Sequence, residues 1–195
     1  MQKLLLGFIG VCLIGMPTVA FADSTSASRS RDAQRSALMA ILDAPHPWVS
    51  AEKLARIGAD VQALLIEVVT AKTGSAAMRL RALGWLQYYP NSASKAVLLE
   101  TIATPSSPEA LRVALSAFAS GFGALALPQL QHHLLHKDVL IREASALALG
   151  HIDDRRVRPL LESQLEREIS LAVRDAMMTS LQRIATRERA ATSGR

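Results

Sequence analysis

The chain repeats itself, and this repeat constrains its fold more than any other feature. Residues 140–152 (LIREASALALGHI) align with residues 172–184 (AVRDAMMTSLQRI) at an offset of 32, with arginine, alanine, leucine and isoleucine at matching positions. Residues 111–122 fit the unit at 140–152 at an offset of 30, and residues 76–86 fit residues 111–122 at an offset of 36. Self-similarity at a period of about 20 to 50 residues predicts a stack of similar structural units.

Each unit is predicted to be two helices joined by a tight turn. Ser107-Pro108-Glu109 supplies an N-cap, a first-turn proline and an acid, which are typical of a helix start. No stretch alternates apolar and polar residues, so we expect an all-α fold, an α-solenoid of about five antiparallel helix pairs. The predicted helices span residues 31–43, 49–57, 60–72, 75–88, 91–104, 108–122, 125–136, 139–151, 155–168 and 170–186.

The best-matched unit has a recognisable motif. Residues 138–154 read DxxIRxAxxLxLGxIxD, followed by a VxPLL segment at 157–161, and this resembles the short HEAT-like repeat shared with phycobilisome-lyase-type proteins. The resemblance implies a right-handed, HEAT/armadillo-like superhelix. It also implies that aspartate and arginine pair between neighbouring repeats, and the positions that match are Asp138, Arg142, Asp154 and Arg174. Ala76 departs from the pattern, so the first full unit is expected to lack its arginine.

A local alternative concerns residues 83–89 (LGWLQYY), which resemble part of a tetratricopeptide unit. That pattern does not recur at 34 residues, the period that such a repeat requires. We therefore favour the HEAT-like interpretation, which is supported by recurrence.

The first 22 residues (MQKLLLGFIGVCLIGMPTVAFA) have the three parts of a secretory signal peptide. Lys3 is the positive end, an apolar run follows, and Ala20-Phe21-Ala22 offers small residues for cleavage before Asp23. We expect a periplasmic or secreted protein that does not insert into a membrane after cleavage. An uncleaved anchor is the alternative, although the apolar run is only marginally long enough to cross a bilayer.

The rest of the chain divides by composition. The Ser-rich segment 23–30 is predicted to be a flexible linker, 31–74 a helical cap with a degenerate repeat, 75–186 the HEAT-like repeats and 187–195 a flexible tail. After cleavage the net charge would be +4, with acids interspersed among the bases, which is not the pattern of a nucleic-acid-binding protein. The single cysteine, Cys12, would be lost with the signal peptide, which excludes thiolate chemistry.

Motifs for catalysis are not found. The sequence contains no Gly-x-Ser-x-Gly elbow, no phosphate-binding loop and no Gly-x-Gly-x-x-Gly, so we expect no enzymatic activity and no cofactor. His132 and His136, at i and i+4 of one helix, could begin a zinc or copper site. No glutamate stands at the His-Glu-x-x-His spacing, and a solvated helix face is the preferred interpretation. A solvated charged face is also predicted for Glu162, Glu166 and Glu168.

The second helices of the pairs suggest where a partner binds. Aligned at an offset of 31, they place Ser163 and Arg167 under His132 and His136, and this polar row is the predicted partner-binding surface. We expect an exported, non-enzymatic scaffold that binds a protein or peptide through its curved surface. Two alternatives stay open: an enzyme accessory of the phycobilisome-lyase type, implied by the resemblance and disfavoured by export, and an envelope metal-binding protein that uses surface histidines.

Overall fold

A computed structural model describes residues 20–45 and 49–193, with side chains from residue 30 onwards. This part of the chain contains ten α-helices, two short 3-10 turns and no strand, which confirms the predicted all-α class for it. The helices are α1 (Ala20–Asp43), α2 (Ala51–Ala55), α3 (Val61–Thr70), α4 (Ala76–Trp85), α5 (Ser92–Ala103), α6 (Pro108–Phe122), α7 (Leu127–His133), α8 (Val139–Leu149), α9 (Val157–Leu165) and α10 (Leu171–Ser193).

Alternate helices pack on one another. In the first row, α4 packs on α6, α6 on α8 and α8 on α10. In the second row, α5, α7 and α9 each pack on the first-row helix that follows them in the chain. At the N-terminal side, α1 packs on α3 and α4, and α3 packs on α4 and α5. Each helix is therefore stabilised mainly by neighbours that are close in sequence.

The starts of the first-row helices show the repeat directly. Ser75, Ser107 and Asp138 cap α4, α6 and α8, and each side chain accepts a hydrogen bond from a backbone N–H of its helix. Ser170 stands at the same place before α10. These positions are spaced 32, 31 and 32 residues apart, so the period in the structure is more regular than the offsets found by aligning letters.

This register corrects the placement of the repeat arginine. Arg79, Arg142 and Arg174 all stand four residues after their cap positions, whereas α6 has Leu111 there. Ala76 begins α4 and is not the equivalent of the arginine. The first full unit therefore has its arginine, and α6 is the unit that lacks one, because the alignment had shifted α4 by one helical turn.

The core is formed mainly by leucine and alanine side chains, and it includes residues of both rows and of α1, α2 and α3. Small residues allow α8 and α10 to approach closely: a Cβ on Gly150 would lie 2.6 Å from Oγ of Ser180. Ser180 is buried and donates a hydrogen bond to the carbonyl of Ala146 at 2.8 Å. The contact between these two helices therefore combines apolar packing with one satisfied polar group.

The stretch Pro108–His133 is long and apolar enough to cross a membrane by length and composition, and half of its most apolar window is buried. It comprises α6, a 3-10 turn and α7, which pack against α4, α5 and α8. Gly123, with φ +55, separates the two helices. Burial in the core accounts for the apolar character of this stretch.

Both ends differ from the predicted boundaries. α1 begins at Ala20, so residues 23–30, where a linker was predicted, are helical despite their serine content. α10 continues to Ser193, and Arg187 donates hydrogen bonds to the carbonyls of Gly150 and Ile152. The predicted tail therefore begins too early, since its first residues are bound to the core. Residues 1–19 of the predicted signal peptide lie outside the described part of the chain.

Candidate partner-binding site

The predicted polar row is divided between helices and turns. His132 and Ser163 are exposed on α7 and α9, as expected. α7 ends at His133, however, so His136 lies in the turn before α8 and does not share a helical face with His132. Leu134 donates the last hydrogen bond of the α-helical type, to the carbonyl of Leu130, and the N–H groups of Leu135 and His136 bond three residues back instead. Arg167 is exposed in the corresponding turn after α9.

The histidines are engaged with the backbone. His133 is buried and its Nδ1 lies 2.7 Å from the carbonyl oxygen of Gln129. Burial lowers the pKa of His133, and this effect exceeds the opposing effect of that hydrogen bond. Nδ1 of His136 accepts a hydrogen bond from the backbone N–H of Asp138 at 3.1 Å. Within residues 20–45 and 49–193, no three histidine, cysteine or acidic side chains are grouped to hold a metal ion.

The residues expected to pair between repeats have other partners. Asp138 caps α8, and Asp154 pairs with Arg156 in its own turn, which lowers the pKa of Asp154 to about 2. Arg174 donates to the carbonyls of Leu165 and Glu168. The predicted aspartate–arginine pairing is therefore corrected: these aspartates act locally, and the arginine binds helix-end carbonyls.

Arg142 does link two repeats, and its partner is Glu168. Nε and Nη2 of Arg142 donate to the two oxygens of Glu168 at 2.8 and 3.0 Å, while Nη1 donates to the carbonyls of His136 and Lys137. Glu168 also accepts the backbone N–H groups of Ile169 and Ser170. The hydrogen bond from Arg142 is the main cause that lowers the pKa of Glu168, with the two backbone donors adding to it.

Glu168 was missed by the sequence interpretation, which placed it on a solvated face with Glu162 and Glu166. Its side chain is 3% exposed in the ion pair. α9 ends at Leu165, so Glu168 leaves the helical register of the other two acids and turns towards Arg142. The signal that could have found it is its position two residues before Ser170, which stands at the place of the repeat's helix caps.

The two turns that the ion pair connects, and the helix starts that follow them, carry exposed apolar side chains. We call this surface the apolar edge; it consists of residues in the α7–α8 and α9–α10 turns and the first turns of α8 and α10. Its members and exposed fractions are Leu135 (71%), Val139 (38%), Leu140 (50%), Ile169 (91%) and Leu171 (77%). The α3–α4 and α5–α6 turns, AKTGS at 71–75 and TPSS at 104–107, carry no large apolar residue.

Basic side chains flank the apolar edge. Lys137 and Arg167 are both exposed, one in each turn. A surface of this composition suits a contact with another macromolecule, because contiguous exposed apolar groups are rare on isolated soluble proteins. No protein-family model matches the sequence, and no curated protein matches it either, so a proposal about function depends on this geometry and on the sequence.

Proposed function

We propose that the chain is an exported, non-enzymatic scaffold that binds a protein partner through the apolar edge. The arrangement we propose for it is a right-handed α-solenoid of HEAT-like helix pairs. The regular spacing of the capped helix starts and the succession of contacts along the first row support that arrangement. The predicted signal peptide supports export.

The observation that carries the proposal is the concentration of large exposed apolar side chains on two successive turns. Ile169 and Leu171 are too exposed to contribute much to the core, so they are free to be buried by another molecule. Lys137 and Arg167 add positive charge at the border. The partner segment that fits is therefore an apolar peptide or helix face bordered by acidic side chains.

The Arg142–Glu168 pair gives this surface a fixed shape. Arg142, at the start of α8, forms a bidentate ion pair with Glu168 of the α9–α10 turn. Arg142 also donates a hydrogen bond to a carbonyl of the α7–α8 turn, so the pair connects the two turns. A preformed surface loses less conformational entropy on binding than a mobile one. Arg142 and Glu168 thus contribute to binding without touching the partner.

The test is affinity capture from an envelope extract with three forms of the exported protein. The edge variant is Ile169→Ser with Leu171→Ser. The matched control is Leu125→Ser with Met178→Ser, which changes two exposed apolar side chains elsewhere. We expect a saturable protein partner with the wild type and the control, and a loss of about tenfold or more in affinity with the edge variant.

A further variant separates the apolar edge from the predicted polar row. His132→Ala with Arg167→Glu changes one residue on α7 and one beside the edge. Equal capture by the edge variant and the wild type would exclude the apolar edge as the binding surface. If the row variant alone lost the partner, the polar row would replace the edge as the site.

A further inference from the structure

A cavity of about 530 Å³ lies among α3, α4, α5 and α6, away from the apolar edge. This volume falls within the range of small-molecule binding sites. Its apolar wall is formed by Val69, Leu80, Leu83, Val97 and Ala110. Leu83 and Ala110 are buried, so the floor of the cavity is part of the core and is already formed in the unbound protein.

The mouth of the cavity is charged. Lys72 and Arg79 stand on one side, and Glu100 of α5 also lines it. Nη1 of Arg79 donates to the carbonyls of Lys72 and Gly74, which fixes the α3–α4 turn. Among the described side chains, no carboxylate lies within ion-pair distance of Lys72 or Arg79. The two cations therefore face the cavity without a neutralising partner.

Lys72 has an unusual backbone. Its φ is +54, and it is the one non-glycine residue with positive φ in the part of the chain that is described. It follows the C-cap of α3, a place where glycine is favoured because it adopts this conformation without steric cost. Lys72 therefore holds a backbone conformation that is costly for a residue with a side chain, and it does so where it lines the cavity.

We propose that this cavity binds a small amphiphilic carboxylate. The carboxylate meets Lys72 and the free part of the Arg79 guanidinium, and the apolar tail packs on Leu80, Leu83 and Val97. Glu100 limits how much negative charge the site accepts. This small-molecule site is separate from the apolar edge, and its existence does not depend on the proposed partner.

The first experiment titrates the full chain with octanoate and, in parallel, with octanol, followed by calorimetry and by NMR of the methyl groups. We expect saturable octanoate binding at one site, with shifts at Leu80, Leu83 and Val97. Octanol should bind about tenfold more weakly, because it lacks the charge that the two cations attract. Equal binding of both probes, or no binding of octanoate, would overturn the proposal.

Variants then test the roles of the named residues. Lys72→Gly should raise the thermal midpoint by about 1 to 4 °C, because it relieves the positive φ, yet weaken octanoate binding about fivefold. Opposite signs for stability and binding exclude misfolding as the cause. Glu100→Gln should strengthen binding, because it removes a like charge from the mouth. Wild-type affinity in Lys72→Gly would contradict the assignment.

A blocking variant tests the location. Ala76 is exposed and lines the cavity, whereas its neighbour Ala77 is exposed and does not line it. Ala76→Trp should abolish octanoate binding, and the matched control Ala77→Trp should retain it. Retention by both variants would show that octanoate binds elsewhere and would overturn the proposal.

Discussion

At the scale of single residues, Arg142 satisfies several needs at once. Its guanidinium neutralises the buried Glu168 and also satisfies the carbonyls of His136 and Lys137, which have no helical partner after α7 ends. Because both charges are removed from water, losing either partner costs more stability than it would in a surface ion pair. The pair is therefore a fixed link between two repeats.

The first prediction concerns the loss of this link. Glu168→Gln removes the negative charge and leaves Arg142, whose side chain is 15% exposed, without its counter-ion. We therefore expect the free energy of unfolding to fall by about 3 kcal/mol. The measurement is urea unfolding at pH 7. Glu166→Gln, an exposed neighbour, is the control and should change stability by less than about 0.5 kcal/mol. Equal effects of the two substitutions would refute a structural role for Glu168.

The same residue predicts a pH dependence. The folded protein lowers the pKa of Glu168 below its ordinary value of 4.5, so the charged form is favoured in the folded state. The stabilising contribution is complete above the unfolded-state pKa and is lost as the pH falls through the lower folded-state value. Urea unfolding from pH 5.5 downwards should show a steeper loss of stability in the wild type than in Glu168→Gln. Parallel pH profiles would count against this explanation.

At the scale of helices, a recurring arginine binds the turn that precedes its own helix. Arg79 bonds to the carbonyls of the turn after α3, Arg142 to those after α7, and Arg174 to those after α9. These carbonyls have no helical partner, so a charged donor stabilises them. The arginine of the repeat thus fixes the turn before its own helix.

The corrected register makes a testable distinction between two arginines. Arg79→Met should lower the free energy of unfolding by about 1 kcal/mol, because two carbonyls lose a charged donor. Arg112→Met should have an effect below about 0.5 kcal/mol, because Arg112 stands one position past the capping place and is exposed. Chemical denaturation of the two variants gives the comparison. The reverse ranking would restore the register obtained from the sequence.

Which helix ends can be predicted from sequence depends on what determines them. The bounds of α6, Pro108–Phe122, match the prediction, because Ser107, Pro108 and Gly123 act locally. α7 ends at His133, earlier than predicted, and no glycine or proline in the following turn, residues 134–138, marks that end in the sequence. Local signals therefore fix the helices whose caps lie in their own sequence.

The candidate site was less predictable for the same reason. The polar row follows from repeat register, which sequence can supply, and His132 and Ser163 are exposed as expected. The partner of Arg142 lies 26 residues away and beyond a helix end, so the position of Glu168 before a helix start does not by itself show that the two side chains meet. Predicting the apolar edge from sequence would likewise require knowing which turns lie side by side.

At the scale of the whole molecule, stability should be unevenly distributed along the chain. α6 has seven buried residues and packs against α4, α5 and α8, whereas α2 has five residues of which Leu54 alone is buried. A helix that packs against several others exchanges its amide hydrogens only when those neighbours also separate. A short helix with one buried residue can open by itself.

Native-state hydrogen exchange measures this gradient. We expect amides in the middle of α6 to exchange with a free energy close to that of global unfolding, and amides of α2 to exchange at a much lower one. The Glu168→Gln variant should lower protection in α8, α9 and α10 more than in α3, because helices in such an array are coupled mainly to their neighbours. A uniform decrease along the chain would instead mean that the array unfolds as one cooperative unit, and the repeats would then have no separate stabilities.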